Sequence, residues 1–475
     1  MELRGLGDLG LARSLSIMSS PIFILLGLTV LRFVLAALLP VTPDEAYYFT
    51  WAQHLQAGYY DHPPMVALWI RLGTALLGPN PLGIRFLGPV SAAIGSWFMY
   101  DAGNRLFAGQ SFGLRAAALF NATLMLGAGC LLMTPDTPLI FFWTLGLWSL
   151  ARLVQSDNPR WWLVAGGCAG LMLFSKYTGA LFLAGAGLWA LTCPQVRRHL
   201  QTIWPWAGGL LAGLIFLPDI IWNADHGWVS YLKQGGRVSG FDPARALQFF
   251  GELVGGQFML FTPLIALLVV CGLWRLRGNK APGARLLLWL TLLPAVVFLE
   301  HVLTNRVESN WPAILYPSAC LVGATLSSRW LRPALLVGFG LTALVYLQAA
   351  TGVVPIPAKQ DTTALQMAGW QNLVQEAVAT HPAFITSDTY TVASELALYA
   401  PKDVPVVGFS GRWVYFNWPT TQVAGQKGLL LIRQDRGSCQ DQIATLPRRR
   451  DNQVIELYRL CVITAPSAGQ VFPRG

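Results

Sequence analysis

Charge is what this 475-residue sequence has least of. Asp, Glu, Lys and Arg together make up 12% of the chain, about half the roughly 25% of an ordinary soluble domain. That shortage excludes a soluble globular enzyme of this length, and it excludes a disordered chain. Cysteine is scarce too. Seven cysteines with no CxxC spacing fit neither a zinc module nor a disulfide-dense scaffold. What fills the chain instead is apolar: 54% hydrophobic residues and a mean hydropathy of +0.48. The formal net charge of +10 then has a membrane explanation, because excess Lys and Arg gather in cytoplasmic loops facing anionic lipid. It does not point to nucleic acid.

The charges are unevenly placed. Residues 353–475 hold 11 of the 33 Lys and Arg and 9 of the 23 Asp and Glu. Residues 1–352 therefore read as a membrane domain and residues 353–475 as a small α/β soluble domain. A spanning helix needs roughly 20 mainly apolar residues. About eleven candidates centre on 21–39, 84–103, 113–133, 137–152, 161–175, 178–193, 203–223, 250–274, 286–303, 313–327 and 334–351. Arginines at 105, 115, 152, 160, 197 and 198, the basic loop 275–285 and Arg329 with Arg332 lie at alternate span ends. Placing them inside puts the N-terminus in the cytoplasm and the tail in the periplasm of a multi-pass inner-membrane protein. The segment 1–40 lacks a small-residue cleavage site and reads as an anchor.

With that orientation the unusual polar residues collect on the outer face. In Thr42-Pro-Asp-Glu45, Thr42 can cap a helix with Pro43 at its first position. Glu45 is then either the capping-box partner or a substrate contact. Asp44 is not needed by the cap, so it is free to act as a carboxylate at the membrane boundary. Tyr47, Tyr48 and Trp51 suit an interfacial aromatic belt, with Tyr48 also a candidate substrate contact. His62, before two prolines, could contact a phosphate, ligate a metal or simply be hydrogen-bonded, and residues 66–77 read as an interfacial amphipathic helix. Asp136 opens another helix in a second Thr-Pro-Asp motif, and an ionisable residue at that depth is a functional candidate. Lys176 is either a snorkelling lysine or a cation for a lipid phosphate. The loop 223–248, with Lys233, Arg237 and Arg245, reads as a mobile basic loop, and Arg306 either pairs with Glu308 or reaches a phosphate.

In this order and on one face, Asp44-Glu-Ala-Tyr-Tyr48, Asp61-His-Pro-Pro64, Asp136-Thr-Pro-Leu139, Ser175-Lys-Tyr177 and Ser309-Asn-Trp-Pro312 resemble the bacterial polyprenyl-phosphate-dependent glycosyltransferases. These are GT-C superfamily proteins (family 39) related to protein O-mannosyltransferases and the lipid A aminoarabinose transferase. The resemblance runs over residues 20–350, and the tail segment 387–399 also looks like the soluble domain of many members. It implies transfer of a sugar from a polyprenyl phosphate to an extracytoplasmic acceptor (lipid A, another glycan or a protein) with inversion. Asp44 would deprotonate or orient the acceptor hydroxyl, and Asp136 would orient acceptor or sugar. Lys176 would stabilise the leaving phosphate, with Arg237 and Arg306 as weaker choices. The aminoarabinose transferase has Lys-Pro-Pro where this chain has His62-Pro-Pro, and its metal site finds no match here. No cofactor or divalent metal is therefore expected.

In the tail, 363–380 and 391–399 read as helices and 383–386, 404–408, 428–433 and 454–460 as strands. Cys439, near a presumed helix, and Cys461, at a strand end, would form a disulfide in an oxidising compartment. No catalytic set is legible there. Two rivals remain: a lipid-linked saccharide transporter or flippase, and a scaffold that presents the tail.

Overall fold

The computed structural model describes residues 21–107, 112–236, 242–326, 329–409, 411–436 and 439–472. Every predicted span falls on helix. Six helices are long and apolar enough to cross a membrane: Pro21–Leu38, Pro81–Leu106, Asp136–Ser156, Trp204–Asp225, Pro282–His301 and Leu331–Thr351. Three bent pairs raise the number to at most nine among the described residues. The shorter apolar helices Trp161–Leu173 and Trp311–Ala324 complete the eleven positions. This is a multi-pass helical membrane protein.

The expected single span 250–274 is a correction. Helices Pro243–Phe261 and Pro263–Leu276 meet at 102°. Thr262 takes a φ of 68° between them, and Pro263 cannot donate into a continuing helix. The apolar run passes the corner unbroken, so hydropathy alone merged the two. Elsewhere small residues draw helices together. A Cβ at Gly166 would lie 2.1 Å from the Gly208 carbonyl oxygen, so Trp161–Leu173 and Trp204–Asp225 cross with their backbones in contact.

The basic loops meet at one end of the bundle. Arg105 hydrogen-bonds Gln155, Arg198 pairs with Asp157, and Arg285 donates to the Thr192 carbonyl at 2.5 Å. Asp136 opens the helix whose far end carries Gln155, and Lys176 precedes the one that ends at Thr192. Helix Met65–Leu77 has the two-sided character expected of it, with Val66, Ala67 and Ile70 buried and Leu72 and Leu76 exposed.

The tail contains β1 (Ile385–Thr386), β2 (Val407–Gly408), β3 (Thr420–Thr421), β4 (Lys427–Arg433), β5 (Asp441–Arg450), β6 (Gln453–Thr464) and β7 (Gly469–Val471). Four form a sheet of order β1-β4-β6-β5, in which only β1 and β4 are parallel; the rest form an antiparallel sheet β2-β7-β3. The helix expected over 363–380 divides into Thr362–Met367 and Trp370–Ala377. Gly369 sits between them at a φ of 77°, and a Cβ there would lie 2.2 Å from the Arg449 carbonyl oxygen. Strand β5 was not expected, because its polar sequence carries Pro447; it lies at the sheet edge, where a missing N–H donor is tolerated. Cys439 accordingly precedes a strand rather than a helix, and it is disulfide-bonded to Cys461.

The largest buried cluster of the tail is shared with the outer loops, while smaller ones, such as Phe384 with Val407, Val423 and Ala465, lie within the tail itself. One buried cluster joins Val41, Tyr47, Trp51, Tyr59 and Ile70 to Trp370, Leu396, Trp413, Phe416 and Leu460. Tyr47 and Trp51 are thus not a lipid-facing belt. Their rings are buried, with Tyr47 4.7 Å from Tyr390 and Trp51 4.2 Å from Tyr59 between centroids.

Candidate active site

The first outer helix, Pro43–Gln53, is fixed by its cap. Thr42 Oγ1 accepts from the Glu45 backbone N–H at 3.3 Å, and Glu45 Oε2 accepts from the Thr42 N–H at 3.0 Å. The Glu45 carboxylate then takes a bidentate Arg85 fork at 2.7 and 2.6 Å, and the Met133 N–H at 3.0 Å. Glu45 and Arg85 are completely buried. A buried carboxylate is tolerated only when paired and hydrogen-bonded in this way. Glu45 therefore sets the position of the loop and does not face the cavity beside it, which corrects its reading as a substrate contact.

One residue earlier, Asp44 does face that cavity. The chamber is about 630 Å³ and lies where the outer loops, the helix ends and the tail converge. Asp44 is exposed and lines the chamber. Burial among protein atoms pushes its carboxyl above the ordinary range, with neighbouring Glu45 adding to the rise; the Tyr390 hydroxyl and Arg412 work against it. The Tyr390 hydroxyl lies 3.5 Å from Asp44 Oδ1.

Asp136, the first residue of its helix, sits across the chamber. Its Oδ1 accepts from Lys176 Nζ at 2.7 Å and its Oδ2 from Asn310 Nδ2 at 2.7 Å. Lys176 is 7% exposed, so it is not a snorkelling lysine. A third unit surrounds Asp61, whose carboxylate is bonded by Tyr47 Oη at 2.5 Å, by Arg412 Nη1 at 2.7 Å and by Lys233. Two cations on one carboxylate leave that corner of the chamber with a local charge of about +1.

The structure thus brings together Asp44, Tyr48, His62, Asp136 and Lys176 around one space. Arg306 is elsewhere: its side chain is 60% exposed and pairs with Glu252 at 2.8 Å and Glu308 at 3.8 Å. Arg237 lies outside the described residues. Sequence reasoning did not single out Lys233, Asn310, Tyr390 and Arg412, all of which line the chamber. Asn310 stood inside a quoted motif and Lys233 was one of several loop cations. Tyr390 stood inside the quoted tail segment 387–399 without a role, and Arg412 carried no signal, because nothing in a soluble tail says which residues turn back toward the membrane. Among the described residues, no three or more His, Cys, Asp or Glu are grouped to hold a metal ion.

The family model described as dolichyl-phosphate-mannose-protein mannosyltransferase matches residues 61–222. The crystal structure of ArnT from Cupriavidus metallidurans bound to undecaprenyl phosphate superposes with a TM-score of 0.64, at 12% identity, over 94% of this chain and 98% of that one. The chain has the GT-C fold. In sequence it is similar to two named glycosyltransferases. The lipid A galacturonosyltransferase RgtD of Rhizobium johnstonii is 26% identical over 320 residues, 66% of this chain and 65% of RgtD. The undecaprenyl phosphate-alpha-4-amino-4-deoxy-L-arabinose arabinosyl transferase 1 of Pseudomonas fluorescens is 24% identical over 367 residues, 67% of this chain and 63% of the relative. The chain therefore spans somewhat less than two thirds of either relative's length.

Proposed function

We propose that this GT-C protein is an inner-membrane glycosyltransferase that moves a sugar from a polyprenyl phosphate to an extracytoplasmic acceptor with inversion. The observation that carries the reading is the single chamber in which a carboxyl of raised pKa, Asp44, faces two cation-bearing units across a substrate-sized space. Asp44 takes the proton of the acceptor hydroxyl. The oxygen forms a bond to the anomeric carbon, the bond from that carbon to the phosphate oxygen breaks, and its electron pair leaves with the polyprenyl phosphate. One displacement inverts the centre. Fixed cations are most useful where charge develops, which is the part we give Lys176, Lys233 and Arg412. The Asp136–Lys176–Asn310 unit holds Lys176 in place.

A side cavity of about 190 Å³ shares His62, Lys176 and Trp311 with the chamber and runs past Val297 and Phe298. Val297 belongs to a helix whose Val296 is 60% exposed on the outer surface. This mostly apolar side opening suits the donor's hydrocarbon chain. The names of the relatives support a lipid-linked donor and an envelope glycolipid acceptor. The reading needs no divalent metal, since Asp61 and Asp136 already carry cationic partners. Mass spectrometry of envelope lipids from a deletion strain, complemented with wild type or Asp44→Asn, tests it. A sugar lost on deletion is expected back with wild type only. Full restoration by Asp44→Asn overturns the assignment, and lipid movement without sugar transfer favours a flippase.

A further inference from the structure

A second large opening lies at the end of the bundle away from the chamber. Helix Pro263–Leu276 runs into the basic loop before Arg285, which is held at that end by the Thr192 carbonyl. Along this helix Leu264, Leu267, Leu268, Cys271 and Arg275 recur at helical spacing and so form one stripe. The stripe is one wall of a groove of about 800 Å³, and Leu326, Arg329 and Trp330 supply the other. A Cβ at Gly272 would lie 2.5 Å from the Val322 carbonyl oxygen. Helices Pro263–Leu276 and Trp311–Ala324 therefore meet backbone to backbone beside the stripe, and the groove rests on a fixed helix pair.

The two ends of the groove differ in chemistry. Leu264 and Arg275 are eleven residues apart, about 16 Å of helix, or roughly half of the 30 Å hydrocarbon core of a bilayer. The far part is leucine. The near end carries two guanidiniums from different elements, and among the described residues no Asp or Glu lines the groove. Other arginines at this end are engaged by the protein: Arg105 with Asp101, Arg198 with Asp157, Arg285 with the Thr192 carbonyl, and Arg277 3.2 Å above the Trp274 ring. Arg275 and Arg329 form no ion pair or hydrogen bond with another described residue, and Arg329 lies 5.6 Å from the Trp330 ring. We propose that this groove binds an anionic phospholipid of the adjacent leaflet, its phosphate between Arg275 and Arg329 and an acyl chain along Leu264, Leu267 and Leu268. The match is one of charge and of length. Two cations at one end favour a head of net negative charge, whereas a zwitterionic head brings an ammonium that they repel. Basic pockets between membrane helices hold anionic heads in this way, and an indole at the same level is an interfacial anchor. A soluble phosphate would leave the leucine wall uncovered. The site is separate from the chamber and does not depend on the glycosyltransferase reading.

Cys271 is a built-in reporter, because it lines the groove and its thiol is free and exposed. The purified full-length protein in a neutral detergent is treated with N-ethylmaleimide, and modification of Cys271 is followed by peptide mass spectrometry. Phosphatidylglycerol should slow the modification at concentrations where phosphatidylcholine with the same chains does not. Two arginines at the lipid surface correspond to a preference of about 30-fold. Inorganic phosphate should give no protection. Arg275→Gln combined with Arg329→Gln should abolish the preference, and Arg275→Lys combined with Arg329→Lys should keep it. Both side chains are exposed, and an unchanged melting temperature checks that each pair folds. The comparison of the two lipids on the wild-type chain stands whether or not a variant folds. Equal protection by the two phospholipids overturns the proposal, as does protection by inorganic phosphate alone. A preference that survives the glutamine pair, or that a folded lysine pair loses, overturns it too.

Discussion

The neighbouring carboxylates Asp44 and Glu45 part ways within one helical turn. Glu45 is held by a cap, an Arg85 fork and the Met133 N–H; Asp44 is left facing the chamber. Their substitutions should separate activity from stability. Asp44→Asn is expected to cut transfer by about 10²–10⁴, the usual contribution of a general base, with the melting temperature of the solubilised protein unchanged. Glu45→Ala should instead strand a buried guanidinium and cost about 3–5 kcal/mol, read as loss of folded protein from the membrane. The acid limb of the pH–rate profile follows from the raised Asp44 pKa. The base works only when deprotonated, so activity falls as pH drops through a value above the ordinary aspartate pKa of about 4. Asp44→Asn should abolish that limb. A chelator such as EDTA should leave turnover unchanged, since cations of the chain itself balance Asp61 and Asp136; loss of activity restored by a divalent ion would contradict this.

At the scale of elements, the short helical turn Gly411–Phe416 carries Arg412 into the chamber, and helix Tyr390–Tyr399 carries Tyr390. Arg412 also lies over the Tyr390 ring at 3.8 Å. Arg412→Ala should lower kcat/KM by about 10- to 100-fold, the scale of a charged hydrogen bond worth roughly 1.5–3 kcal/mol. A circular-dichroism melt should move less than for Glu45→Ala, because Asp61 keeps its bonds from Tyr47 and Lys233 when Arg412 is removed. No change in kcat/KM would confine the tail to a structural part. The helices, the Thr42 cap and the cluster of Asp44, Asp136 and Lys176 were legible in sequence, because apolar period and Thr-Pro-Asp signatures are local. The corner at Thr262, strand β5 and the inward turn of Arg412 were not. Each depends on partners far along the chain: β5 is ordered by pairing with β6, and Arg412 by Asp61, 351 residues away.

For the whole molecule, the basic loops gather at one end and the chamber and tail at the other. With Cys271 replaced by Ser to remove the exposed native thiol, a membrane-impermeant maleimide applied to intact cells should label Lys402→Cys and not Gly278→Cys. The reverse pattern would invert the proposed orientation. The core shared between helix Pro43–Gln53 and the tail also bears on how the protein is made. The partners of Asp61 and Gln56 in the tail lie 351 and 360 residues downstream. At about 5–20 residues per second, that separation amounts to roughly 20–70 seconds of synthesis. During that interval Tyr47 and Trp51 have no tail to bury them. A ribosome that stops before residue 412 releases a chain whose chamber was never closed. Arg412 and Tyr390, which line the chamber, are thus added only when the tail is complete.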